Sequence, residues 1–236
     1  MKAYLINLDD RRDRLEYAER QLSAVGVEYL RVAAIRATEK FSTEYPYVTP
    51  SVAAIWLSHL SALREFLETD ETHALILEDD FQMKCSKKKL YSVLLEHEYG
   101  DFFQIGFLVT NLFDRINFCS NNFLDFSFKV LEKYSRYRFP FANYLSTKYL
   151  VYGQKNAKFS TVCNDIRAGA HSYIISREFA EKVLEFNQPV LFSTDQFFIS
   201  LSKMHTFRML RLRSSIIGQT DSISSVQSRF ISQKND

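Results

Sequence analysis

Residues 2–35 read KAYLINLDDRRDRLEYAERQLSAVGVEYLRVAAI, and the order of patterns within them decides the architecture. Lys2 to Leu8 is a short apolar run stopped by Asp9-Asp10, the pattern of a buried strand that ends in a polar loop. From Arg11 onward Leu15, Ala18, Leu22 and Val25 recur at steps of three and four, and Gly26 stands where a helix would be capped. Val27 to Ile35 then resumes the β-branched and aromatic bias of a strand. Strand, amphipathic helix, strand is a βαβ unit, whose parallel strands require a sheet covered on both faces. The opening is therefore α/β.

The alternation continues outward. Pro46 and Pro50 punctuate a loop, after which Ile55, Leu57, Leu60, Leu63, Phe66 and Leu67 predict a helix over 51–67. In HALILEDDF, residues 73–81, the apolar run Ala74 to Leu77 is cut off by Glu78, Asp79 and Asp80. A central strand thus delivers carboxylates at its C-terminal end, where open α/β sheets bind their ligands. A helix over 87–95 and a strand over 101–107 follow. From residue 108 to 168 the pattern loosens into aromatic and polar clusters, from Phe113 to Tyr152, and this stretch is expected to be an insert within a single domain over 1–236. A strand over 169–176, helices over 177–186 and 194–204, and a strand over 206–212 complete the pattern. The closing SISSVQSRFISQKND reads as a fraying tail.

Composition bounds the function. Hydrophobic residues at 46% and charged residues at 25% match a soluble globular domain, which excludes disorder as the main state. Thirty Lys and Arg against 28 Asp and Glu leave a formal charge of +2, too balanced for a protein dedicated to nucleic acid. Cys85, Cys119 and Cys163 are odd in number and lack a C-x-x-C pair, which fits neither a disulfide framework nor a cysteine zinc site and predicts a cytoplasmic home. The N-terminus meets charge before it builds a signal-peptide core, and no apolar run approaches the roughly 18 residues that cross a bilayer.

Three acids at one strand terminus repel one another, so they face solvent, cap the next segment, meet a basic partner, or share a divalent cation. Strand alternation would project Glu78 and Asp80 to one side and Asp79 to the other, which makes Glu78 and Asp80 the expected pair for Mg²⁺ or Mn²⁺. Asn7, Asp9, Arg11, Arg12 and Arg14 cluster where strand one meets helix one, near a helix N-terminus that favours anions. Neither the dinucleotide glycine fingerprint nor the P-loop is present, so a nucleotide held there would be held by side chains. The same charges also fit a solvated helix face with Asp10–Arg14 and Arg12–Glu16 pairs. His59, His171 and His205 are packing residues or participants in chemistry, and Asp195 is a first-turn helix acid or a catalytic carboxylate. The basic stretch Lys203, Arg208, Arg211 and Arg213, interleaved with Met209, Leu210 and Leu212, fits either a peripheral contact with anionic membrane or a final strand with one wet face.

The order INLDDRRDR, TPSVAAIWLSH, ALILEDDF, GAHSYIISREFAEKVL and STDQFF resembles glycosyltransferase family 25, the bacterial lipooligosaccharide galactosyltransferase type. The resemblance implies a GT-A-like single domain with a Rossmann-type central sheet, a Mn²⁺ (or Mg²⁺) cofactor, and inverting transfer of a hexose, galactose first, from a UDP-sugar to a saccharide acceptor that can be lipid-linked. It also implies roles. Glu78 and Asp80, with His171 as a further candidate, would hold the metal; Asn7, Asp9, Arg11, Arg14, Ser58, His59 and Asp79 would line the donor site; Asp195 would be the catalytic base. Two departures stand out: Ser51-Val52-Ala53-Ala54-Ile55 replaces the usual Gly-Glu-x-Gly-Cys, and Thr194 replaces the usual Pro before the later Asp. Competing expectations are a metal-dependent phosphotransfer or nucleotidyl enzyme using the same acids, and a degenerate carbohydrate-binding scaffold.

Overall fold

The computed structural model describes residues 1–96, 100–108, 162–163, 166–186, 189–204, 206–212 and 214–220. Most of the expected insert, the closing tail, His205 and Arg213 lie outside the described residues. The elements run β1 (Ala3–Asn7), α1 (Arg12–Val25), β2 (Tyr29–Ala33), α2 (Phe41–Glu44), α3 (Pro50–Leu67), β3 (His73–Glu78), β4 (Phe81–Met83), α4 (Lys87–Glu96) and β5 (Phe102–Gly106). After these come β6 (Val162–Cys163), β7 (Ser172–Ser176), α5 (Arg177–Glu185), α6 (Thr194–Lys203), β8 (Met209–Leu212) and β9 (Ile217–Gln219).

Local chemistry sets the boundaries. Gly26 ends α1 in the left-handed region at φ 70°, its N–H reaching Leu22 O and Ser23 O, a conformation in which a Cβ would be strained. Thr49 caps α3 by accepting from Val52 N, with Pro50 in the first turn where its missing N–H costs nothing. Ser193 and Gln196 form a reciprocal capping box at the start of α6.

The strands form one sheet in the order β2-β1-β3-β7-β5-β8-β6, with β9 beside β5 and β4 paired to β9. β1 runs parallel to β2 and β3, and β5 parallel to β8. β7 is antiparallel to both β3 and β5, so the sheet is mixed. Tyr173, Ile174 and Ile175 of β7 are buried on both faces, and an apolar run of that kind does not encode strand direction. The inversion has a functional consequence: the start of β7 lies beside the C-terminal ends of β3 and β5.

Successive strand residues feed two cores. Tyr4, Ile6, Ile76, Phe102 and Tyr173 pack with Trp56, Phe66 and Phe198 from the helices on one face. Ala3, Leu5, Leu75, Leu77, Phe103 and Ile105 pack with Leu22 and Leu90 on the other. Period-2 side-chain alternation within continuous apolar strands produces this division. Trp56 is fully buried against Phe197 at 4.6 Å between ring centroids, and truncating it to Ala would cost about 3–5 kcal/mol.

Several expectations are corrected. β3 ends at Glu78 and Asp79-Asp80 form a turn, so strand alternation does not extend through the acids and all three border one cleft. Residues 217–219, to which the sequence pattern assigns no element, form β9. All of β8 is buried: Arg211 donates to Leu212 O at 2.9 Å and its guanidinium lies 5.2 Å from the Phe107 ring centroid. Met209, Leu210 and Leu212 therefore belong to the core and are not exposed for a membrane. Among the described residues no helix is long and apolar enough to cross a membrane.

Candidate active site

A cleft of about 340 Å³ opens at the C-terminal ends of β1 and β3, a volume typical of small-molecule sites. One wall is apolar, with Ile6, Leu8, Ala34, Ile35, Val52 and Ile55. The other carries Arg14, Glu78, Asp79, Asp80, His171 and Asp195, closed by Thr194 and Gln219. Of the residues singled out in the sequence, Arg14, Ser58, His59, Glu78, Asp79, Asp80, His171 and Asp195 are brought together here.

Asn7, Asp9 and Arg11 are placed differently. Asn7 is buried behind the cleft: its Nδ2 donates to Asp79 Oδ2 at 2.8 Å and Arg11 O at 3.1 Å, and its Oδ1 accepts from Arg31 Nε at 3.0 Å. Asp9 is exposed and accepts from Arg31 Nη2 at 2.5 Å. Arg11 turns to Asp13 through paired bonds of 3.0 and 2.9 Å. The expected Asp10–Arg14 pair does not form, because Asp10 pairs with Arg36 and Arg14 reaches Asp79 at 3.1 Å. Arg14 Nε and Nη2 are buried without a hydrogen-bond partner among the described residues. Two unmade charged donors beside a cleft are costly and call for an anionic acceptor.

The three acids differ in their support. Burial works against the Glu78 carboxylate, but the hydrogen bond from His59 and the charge of nearby basic groups outweigh it and hold the carboxyl below its ordinary value. Asp79 is raised by burial, against the opposing effect of Asn7 and Arg14. Asp80 is pushed up to about 7 by burial and then by the Glu78 charge. Its Oδ2 accepts from Gln219 Nε2 at 3.0 Å, while its Oδ1 is buried and has no partner among the described residues.

Asp195, in the first turn of α6, accepts from Ala170 N at 2.6 Å and is raised by burial, opposed by the Gly169 and Ala170 N–H groups. Gly169 holds φ +102°, and a Cβ there would come within 2.8 Å of Leu108 N and 3.0 Å of His171 Nδ1. His171 is lowered by burial and its Nε2 lies 3.3 Å from Ile217 O. Ser58 spends its hydroxyl on the fold, accepting from Ile35 N at 2.8 Å and donating to Ala54 O at 2.7 Å. His59 is buried between Tyr173 Oη, 2.9 Å from Nδ1, and Glu78 Oε1, 3.2 Å from Nε2.

The donor chemistry fits a hard divalent cation in part. Asp80 Oδ1 is an unsatisfied oxygen beside the Glu78 carboxylate, the type of ligand that Mg²⁺ and Mn²⁺ prefer. Among the described residues no three His, Cys, Asp or Glu side chains form a metal-binding group, so Glu78, Asp80 and His171 are not assembled as a ready trio. A carboxylate pair completed by substrate oxygens is the arrangement these residues suit.

Gln219, Tyr173, Arg31 and Thr194 are site or support residues that the sequence does not mark. Gln219 adjoins what reads as tail; Tyr173 and Arg31 sit in strands and act through partners distant in the chain.

The model of glycosyltransferase family 25 (LPS biosynthesis protein) matches residues 1–198. The chain belongs to this family. The match covers every residue of the cleft except Gln219. Family 25 membership makes the chain a glycosyltransferase of LPS biosynthesis, and with it come a sugar donor and a saccharide acceptor. A comparison with curated proteins finds no match. Among solved structures the chain is similar to one described as "Crystal Structure of A197 from STIV", at 15% identity and a TM-score of 0.42, over 92% of this chain and 83% of that one.

Proposed function

We propose that this family 25 protein is a metal-dependent, inverting hexosyltransferase that moves galactose from UDP-galactose to a saccharide acceptor of a surface glycan. The observation that carries the reading is the pairing, in one cleft, of a buried guanidinium with unmade donors at Arg14 and a buried carboxylate with an unmade acceptor at Asp80. A diphosphate would answer the first, and a divalent cation held by Asp80 with Glu78 would answer the second.

In this reading the nucleoside lies along Ile6, Ala34 and Ile35, and the Arg14 guanidinium takes the diphosphate. Asp79 holds Arg14 in place and is itself fixed by Asn7. Glu78 and Asp80 would hold the Mn²⁺ or Mg²⁺, which when bound neutralises charge gathering on the departing nucleoside diphosphate. Asp195 accepts the proton of the acceptor hydroxyl as that oxygen bonds to the anomeric carbon from the face opposite the leaving group. The bond from the anomeric carbon to the diphosphate oxygen breaks and UDP leaves with the electron pair. Burial of Asp195 suits it to this task, because a carboxyl raised toward neutrality is a stronger base than an exposed one.

The test is product analysis with Mn²⁺, UDP-galactose and a panel of saccharide acceptors, reading the anomeric proton by NMR. A β-linked galactoside from the α-configured donor is the expected product. An α-linked product would overturn inversion, and consumption of ATP without sugar transfer would replace this reading with phosphotransfer.

A further inference from the structure

From the lining of the cleft, where His59 and Glu78 stand, a buried chain of side chains continues to Tyr173, which is not part of that lining. Tyr173 Oη lies 2.9 Å from His59 Nδ1, and His59 Nε2 lies 3.2 Å from Glu78 Oε1. Tyr173 is fully buried and His59 is 1% exposed. Both His59 nitrogens are thus engaged inside the protein, although the motif they belong to was expected to face the donor.

The direction of the bonds follows from what each group can do. A carboxylate only accepts, so His59 Nε2 carries the proton that goes to Glu78. The Tyr173 hydroxyl has no other hydrogen bond among the described residues, and a buried O–H left without an acceptor is costly. Its proton therefore goes to His59 Nδ1. The order is Tyr173 O–H to Nδ1, then Nε2–H to Glu78, and it fixes one tautomer of the ring.

The chain is held rigidly at each link. Tyr173 sits in β7 opposite Ile76 of β3 and stacks on Phe102 with ring centroids 4.8 Å apart. His59 projects from α3 and its ring lies 18° from the Tyr173 plane at 5.8 Å. The Glu78 backbone is pinned by its N–H to His171 O at 3.0 Å. Side chains locked on a helix and on strands place a carboxylate better than a loop does.

We propose that Tyr173 and His59 are positioning residues that orient the Glu78 carboxylate toward the cleft, so that a residue pair outside the reacting groups sets how well Glu78 serves its ligand. This rests on the functional reading above for what Glu78 holds, but the relay itself is a statement about the ring of His59. Outer partners of metal-binding side chains commonly change metal affinity by about 10–100-fold when removed.

The experiment has two arms. In the first, ¹⁵N NMR of the His59 ring in the full chain is expected to show protonated Nε2 and bare Nδ1, and Tyr173→Phe, which keeps the stacked ring, is expected to shift the Nδ1 signal. A ring protonated on Nδ1 overturns the relay. In the second, Mn²⁺ binding is read by the EPR signal of the free ion, and the kinetics by separate KM and kcat. His59→Ala is expected to weaken Mn²⁺ by about 10–100-fold, Tyr173→Phe by less, and His59→Gln, whose amide can still donate to Glu78, to recover part of the loss. Donor KM at saturating Mn²⁺ should stay within about threefold, well inside one tenfold step of affinity. Unchanged Mn²⁺ binding in both His59→Ala and Tyr173→Phe, or a change confined to donor KM, overturns the proposal. If the wild-type chain transfers no sugar, the functional reading fails, while the ring signals and the Mn²⁺ titration still decide the relay.

Discussion

Asp79 and Asp80 are neighbours in one turn and face opposite fates. Asp79 is closed: Asn7 and Arg14 donate to its two oxygens, and Arg31 braces Asn7 from β2. Asp80 is open: Gln219 serves one oxygen, and among the described residues nothing serves the other. The β1 side of the turn holds both Asp79 oxygens in a structural network, whereas the side facing β9 and α6 keeps a carboxylate oxygen whose partner must arrive from outside. The lesson is that position in an acidic run says less about role than the hydrogen bonds each acid already has.

Breaking the open side should cost activity far more than stability. Asp195→Asn keeps the shape and the Ala170 hydrogen bond but removes the base, so kcat for sugar transfer should fall about 10²–10⁴-fold. The pH dependence follows from the same carboxyl. Its folded value is raised above the unfolded one, so the native state binds more protons in between, and stability relative to Asp195→Asn falls as pH rises from the ordinary carboxylate range through the raised value. The wild-type acid limb of kcat should lie above the ordinary carboxylate range and vanish in Asp195→Asn, as pH profiles of both would reveal.

The hinge between the two sides is Arg14, which is tied to Asp79 yet carries unmade donors. Arg14→Lys keeps the charge and loses the fork, so donor KM should rise about 10–100-fold with a smaller change in kcat. Breaking the closed side should do the reverse. Asn7→Ala strips one buried oxygen of Asp79 and leaves Arg31 short of an acceptor, and urea melts should record a loss of about 1–3 kcal/mol. The smallest effect is a control away from both: Thr49→Ala removes the α3 cap at a cost of about 1 kcal/mol, with donor KM unchanged.

Much of this was legible in the chain. β1, α1, β2, α3 and the acid-tipped β3 follow from apolar spacing and capping residues, and the carboxylates fall at the strand end where ligands bind. What failed did so for local physical reasons. Apolar runs do not carry strand direction, so the antiparallel β7 was hidden, and with it the place of His171 and Ala170 at the cleft. Side-chain alternation stops at Glu78, where the strand ends, and no local signal in the acidic run marks that end. Ring partners such as His59 and Tyr173 are 114 residues apart, and only the fold joins them. Among the charged residues from Asp9 to Arg14, only the fold distinguishes Arg14, which reaches Asp79, from Arg11, which turns to Asp13.

The central claim is that a cation and a nucleotide-sugar meet at the open carboxylate of Asp80. Thermal stability of the purified chain, with and without Mn²⁺ and UDP-galactose and repeated in Asp80→Ala, tests it most directly. The account predicts a rise in Tm that needs both Mn²⁺ and UDP-galactose together and is lost in Asp80→Ala. An equal rise in Asp80→Ala, or no rise with any UDP-sugar in the wild-type protein, would contradict it.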